Sequence, residues 1–156
     1  MKQDRFLTGI LIGIGVLILL ALALFFTRQE KRDYVADNTP DGVVHNYVLA
    51  IINKDYKKAY SYLADLEHKP TYEEFRQSFF NGNVSSENVG AEVGAAEIDN
   101  DVATVEMTIY YSYSDPFSTN TGSSDRASLV LEDGAWKLSY MPYNFWAYNW
   151  YQEQPK

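Results

Sequence analysis

Residues 6–26, FLTGILIGIGVLILLALALFF, restrict this chain more than any other stretch. The run has 21 residues, no charge, and Thr8 as its one polar side chain. As a helix rising about 1.5 Å per residue it extends roughly 31 Å, the thickness of a bilayer's hydrocarbon core. Fifteen of its residues are Leu, Ile, Val or Phe, and each central one favours insertion by about 0.3–0.6 kcal/mol. A helix buried in a soluble domain keeps a polar face, and this run has none. It reads as a transmembrane helix preceded by a short tail, residues 1–5.

A cleaved signal peptide is the competing reading. Ala21-Leu22-Ala23 has the small-x-small form of a cleavage site, and the N-terminus is basic. Signal cores, however, run about 7–15 residues, and this one continues through Phe26, so an uncleaved anchor is the better fit. The chain has no Cys, which excludes a lipidated-cysteine anchor. Gly9 and Gly13 form one G-x-x-x-G, the pattern of a helix-pairing face, although glycine is common in membrane helices. Lys2 and Arg5 on one flank nearly balance Arg28, Lys31 and Arg32 on the other. The short tail before the helix places the N-terminus in the cytoplasm and the following domain outside.

The remainder, residues 28–156, has room for one domain. It carries 11 Lys and Arg against 20 Asp and Glu. That balance argues against nucleic acid, which requires a basic face, and against anionic lipid headgroups. Residues 27–38 are polar and mixed in charge, and read as a juxtamembrane linker.

Thr39-Pro40 opens a helix, with Thr suited to the N-cap and Pro to the first helical position. Val43, Val44, Tyr47, Val48, Ile51 and Ile52 follow at helical spacing. Asn53-Lys54-Asp55 breaks the pattern. A second short helix carries Tyr56, Ala59, Tyr60 and Leu63. Thr71-Tyr72-Glu73-Glu74 is a capping box and starts a third helix, which ends at Asn81-Gly82-Asn83. The period then changes to two. Residues 88–98 read as a weak or bulged strand, because Gly90 and Gly94 interrupt it. From Val102 to Tyr113, Ala103, Val105, Met107, Ile109, Tyr111 and Tyr113 share one face, expected to be the buried one. Residues 114–124 read as a loop. Strands over 126–132 and 136–140 flank an Asp133-Gly134 hairpin turn. Helices followed by strands imply an α+β fold with three helices packed on a curved antiparallel sheet.

The sequence resembles the NTF2-like superfamily of cone-shaped α+β domains over residues 39–140. The likeness rests on three stretches: Pro40–Tyr60, with its Tyr47…Ala50-Ile51…Asp55-Tyr56…Ala59-Tyr60 pattern; Thr71–Phe79; and the Leu129–Leu138 hairpin containing Gly134-Ala135-Trp136-Lys137. It is similar in particular to small membrane-anchored domains of bacterial envelope proteins, including the N-terminal domain of some penicillin-binding transpeptidases. The resemblance implies a fold rather than an activity, because the superfamily hosts enzymes, carriers and interaction modules.

Catalytic chemistry is hard to place. No S-x-x-K or K-T-G is present, and Ser118-Thr119-Asn120 alone is a chance match. NTF2-like enzymes keep Asp, His or Tyr inside the cone. Here His45 lies off the apolar stripe and His68 sits in a charged loop. The residues assigned to the inner face, Met107, Ile109, Tyr111 and Tyr113, offer two hydroxyls and no general base. Two His and no Cys make a metal centre unexpected. Asp99-Asn100-Asp101 lacks the Gly and Glu of a calcium loop, and no cofactor is expected. Asn83-Val84-Ser85 matches the glycosylation triplet, a pattern common by chance.

Seven of the twelve residues of YMPYNFWAYNWY, 140–151, are aromatic. Within the tail 141–156, some of these are expected to fold back and close the cone. Tyr143, Phe145, Trp146, Tyr148, Trp150 and Tyr151 are also candidates for a docking surface, since Trp and Tyr dominate interface hot spots and favour the membrane interface. The combined expectation is a single-pass, extracytoplasmic, non-catalytic binding or assembly module. Its partner would be another protein or a second copy. A small ligand or a reaction inside the cone is the alternative.

Overall fold

In the computed structural model, residues 5–27, 33–111 and 122–153 are described. Two compact units divide near residue 33. The first contains α1, Arg5–Thr27. Its Leu7–Leu24 stretch has a mean hydropathy of 2.8 and no buried residues, and is long and apolar enough to cross a membrane.

The second unit begins at Tyr34, five residues ahead of the boundary expected at Thr39. Its elements are α2 (Pro40–Ile52), α3 (Tyr56–Ser61), α4 (Tyr72–Phe80), β1 (Val89–Asp99), β2 (Val102–Tyr111), β3 (Gly122–Glu132) and β4 (Ala135–Tyr140). The caps follow the sequence. Thr39 accepts from the Gly42 amide and Asp55 from Lys58. Thr71 and Glu74 close a full capping box. The strands form an antiparallel sheet in chain order, so the second unit is an α+β fold. Asp133 and Gly134 both have positive φ, 50° and 80°, as a two-residue type I′ hairpin turn requires.

The first strand is bulged where its glycines led one to expect it, and one strand boundary differs from expectation. β1 carries a bulge between Val93 and Ala96, where Gly94 comes so close to the Glu106 main chain that a Cβ would crowd it. β3 starts at Gly122, inside the stretch expected to be loop. Its first residues are small and polar, but they pair with Met107–Tyr110. Gly122 lies flat against Tyr110 and Thr108, where a side chain would clash.

The core lies between the helices and one face of the sheet. Ala103, Val105, Met107 and Ile109 of β2 are buried together with Ala127, Leu129 and Leu138. They meet Val43, Val44, Tyr47 and Ile51 of α2, Phe75 of α4, and Met141, Phe145, Trp146 and Trp150 from the tail. The segment before α2 is part of the same body. Asn46, 1% exposed, accepts from the Val35 amide at 2.9 Å and donates to the Val35 carbonyl at 2.8 Å. Gly42 packs against the Ala36 carbonyl so closely that any side chain would collide with it, and Lys58 Nζ lies 3.5 Å above the Tyr34 ring.

Candidate functional site

The described residues assigned to a cone cavity are packed between sheet and helices or hydrogen-bonded at the rim. Met107 and Ile109 are 2% and 1% exposed and sit in the packed core. Tyr113 lies outside the described residues. Tyr111 is half-buried at the rim, with its hydroxyl 3.2 Å from Asn144 Oδ1 and 2.6 Å from the Tyr143 hydroxyl. The Asn144 oxygen can only accept, so Tyr111 donates to it, and the single remaining arrangement has Tyr143 donating to Tyr111. The rim is therefore a relay from Tyr143 through Tyr111 to Asn144, with Ser123 also beside the Tyr111 hydroxyl, and among the described residues it holds no acid or imidazole.

The aromatic tail divides into two groups. Phe145, Trp146 and Trp150 are 0%, 5% and 4% exposed, which corrects their assignment to a docking surface. Trp150 stacks on Phe75 at 4.8 Å and donates from Nε1 to Ser78 Oγ at 3.3 Å. Ser78 Oγ in turn donates to the Glu74 carbonyl at 2.9 Å. Tyr151 stacks on Trp146 at 5.5 Å, and its hydroxyl donates to the Ala64 carbonyl at 2.6 Å. Desolvation raises the Tyr151 phenol above its ordinary range. Tyr143 and Tyr148 alone among the six are exposed, at 66% and 78%. The tail fills the end of the helix–sheet sandwich because several apolar rings there are better buried together than left as a patch.

Neither histidine sits beside a reactive partner. His45 is half-buried on α2, and its Nε2 is buried without a hydrogen bond among the described residues. His68 is exposed in the left-handed region, φ 60°, with Glu67 at 3.5 Å, and its carbonyl accepts from the Tyr151 amide. No three His, Asp or Glu side chains converge among the described residues. Gly9 and Gly13 lie on the exposed helix α1, and a Cβ on either meets nothing within 4 Å.

The outer face of the sheet was not singled out from the sequence as a site. It carries an open groove of ≈ 750 Å³ bordered by Glu92, Glu106, Thr108, Ser124, Arg126 and Tyr140. The Tyr110 hydroxyl, on the same face, donates to Glu92 Oε2 at 2.8 Å. The alternation Val102, Thr104, Glu106, Thr108, Tyr110 reveals this face but does not separate a site from ordinary solvated sheet.

No protein-family model and no curated protein matches the sequence. Solved structures align with part of the chain. A SEC-C motif-containing protein from Rhodopseudomonas palustris aligns with 14% identity, over 68% of this chain and 79% of its own, at a TM-score of 0.50. An uncharacterised cystatin-fold protein from Novosphingobium aromaticivorans aligns with 12% identity, over 66% and 95%, at 0.45. A proposed dehydratase of the NTF2-like family from Streptomyces avermitilis aligns with 16% identity, over 64% and 93%, at 0.37. At 14% identity the likeness to the first of these is one of fold alone.

Proposed function

We propose that the protein is a membrane-anchored, non-catalytic binding or assembly module, an accessory subunit of a membrane or cell-envelope complex. Its domain, of NTF2-like type, faces away from the cytoplasm. One observation carries this reading: the space between sheet and helices is occupied by Tyr47, Phe75, Met107, Ile109 and Phe145, none more than 2% exposed. A packed interior leaves recognition to the surface, and the anchor keeps that surface at one membrane. The alternative, a small ligand or a reaction in the cone, has Tyr111 as its described polar contact. That hydroxyl is already engaged by Tyr143 and Asn144.

Native mass spectrometry of the full-length protein, extracted from its own membranes in mild detergent, tests the proposal. A larger complex supports it. A monomer carrying a small bound mass transfers the argument to the cone. A bare monomer removes the stable-subunit reading. The intact mass from the same sample reports whether residues 1–23 remain attached.

A further inference from the structure

The sheet has two edges, and the fold treats them differently. The β4 edge is covered: the Ala64 amide donates to the Leu138 carbonyl and the Leu138 amide to the Tyr62 carbonyl, both at 2.8 Å, making a parallel bridge at Leu63–Leu138. β1 ends the sheet on the other side. It runs for 11 residues, about twice the usual strand length. Among the described residues, its backbone bonds only to β2. Val89, Ala91, Val93 and Ala96 pack on the core, so the strand is firmly held while no described residue pairs with its outer edge.

Every charged residue on β1, on β2 and in the turn between them is acidic: Glu92, Glu97, Asp99, Asp101 and Glu106. The cation of this face, Arg126, stands on β3, across Glu106 and on the side of β2 away from β1. Glu92 and Glu97 are an odd number of residues apart and would face opposite sides of a regular strand. The bulge restores the parity. Glu92 pairs with Thr108 and Glu97 with Thr104, so both carboxylates stand on the outer face, and Tyr110 holds Glu92 in place. Ile98 and Val102, at the adjoining hairpin tip, are 58% and 50% exposed.

Charges and bulges on a terminal strand keep like edges apart, and here they disfavour a second copy. Two β1 strands side by side would set carboxylate rows against each other, and like charges across a strand pair are destabilising. The same row complements the opposite sign. We propose that the β1 edge receives an extended, basic segment of a partner protein, which adds as a fifth strand. Main-chain hydrogen bonds would supply affinity, and Lys or Arg opposite Glu92 and Glu97 would supply selectivity. This inference rests on the binding-module reading and names its surface and the chemistry of its partner.

The test uses full-length protein in detergent micelles and two eight-residue probe peptides, one alternating Lys with Val and the other Glu with Val. Backbone amide shifts and hydrogen exchange are read residue by residue. The Lys peptide is expected to slow exchange at amides between Gly90 and Ile98, and the Glu peptide to leave them unchanged. In Glu92→Lys/Glu97→Lys the Lys peptide should bind about tenfold more weakly and the Glu peptide should gain protection. If that double variant does not fold, Glu97→Lys alone is expected to show a smaller change in the same direction. Protection that maps elsewhere, or binding indifferent to the charge reversal, overturns the proposal. A native complex that persists in the charge-reversed protein also overturns it, while leaving the binding-module reading intact. A bare native monomer strikes at that reading instead.

Discussion

The Tyr47 hydroxyl donates a 2.7 Å hydrogen bond to the main-chain carbonyl of Phe145, 98 residues further along the chain. Both residues have no measurable exposure. The bond ties the middle of α2 to an irregular turn in the tail. That turn has no helix or strand ladder to satisfy its carbonyls, so the fold supplies the donor from a side chain.

Tyr47→Phe keeps the ring and removes the donor, leaving a buried acceptor unpaired. Such a group costs about 1–3 kcal/mol, and the melting temperature of the full-length protein should fall by several degrees. Thermal unfolding followed by tryptophan fluorescence reports it, since Trp146 and Trp150 lie beside the bond's acceptor segment. An unchanged melting temperature would show that the tail is not held by this contact.

The same hydroxyl makes stability sensitive to alkali. Desolvation raises the Tyr47 pKa well above the ordinary tyrosine value, whereas the unfolded chain ionises it near the ordinary value of about 10. Its contribution is complete below that pH. It is lost progressively as pH rises toward the folded pKa, because only the unfolded state gives up the proton there. The slope is about 1.4 kcal/mol per pH unit for Tyr47. Tyr151, also raised, adds in the same direction. Urea unfolding midpoints across this range should drop steeply in the native protein and less steeply in Tyr47→Phe. Equal slopes would exclude Tyr47 as the titrating group.

Local signals in the sequence were sufficient for much of this architecture. Thr39-Pro40 and the Thr71 capping box start their helices where expected, and Asp133-Gly134 turns its hairpin. The alternation through β2 separates buried Val105, Met107 and Ile109 from exposed Glu106. What escaped is held by contacts distant in sequence. Gly122–Asp125 have no strand character of their own and become strand by pairing with β2. Phe145, Trp146 and Trp150 follow neither a period of two nor one of 3.6, so their aromatic content could not distinguish core from surface. The Tyr62–Ala64 cover on β4 and the grip of the Asn46 side chain on Val35 each rest on a pair of hydrogen bonds without a motif.

That grip is testable at both of its points. Asn46→Ala removes two hydrogen bonds to Val35 and leaves a buried gap, at a cost of about 1–3 kcal/mol. Gly42→Ala drives a methyl group into the Ala36 carbonyl, so residues 34–38 must lift away. Either variant should expose this segment to limited proteolysis before the rest of the domain is cut, with cleavage mapped by intact mass. Asp41→Ala, at an exposed position on the same turn, serves as the matched control. Equal resistance in all three would mean that residues 34–38 do not depend on α2 for their order.

Trp150 and Tyr148 are two residues apart and should behave oppositely. Trp150 is stacked on Phe75 and bonded to Ser78, so Trp150→Ala removes a large buried ring and its donor together. Changes of this kind cost about 3–5 kcal/mol, a large share of a domain's total stability of about 5–15 kcal/mol. Tyr148, 78% exposed, makes a substitution to Ala worth no more than about 0.5 kcal/mol. Chemical denaturation of both full-length variants measures the difference. A tail acting as a docking surface would give the reverse pattern at Trp150, with native stability and a lost partner. Unfolding at Trp150 with native behaviour at Tyr148 places the buried aromatic residues in the core, and leaves Tyr143 and Tyr148 as the part of the tail that another molecule can reach.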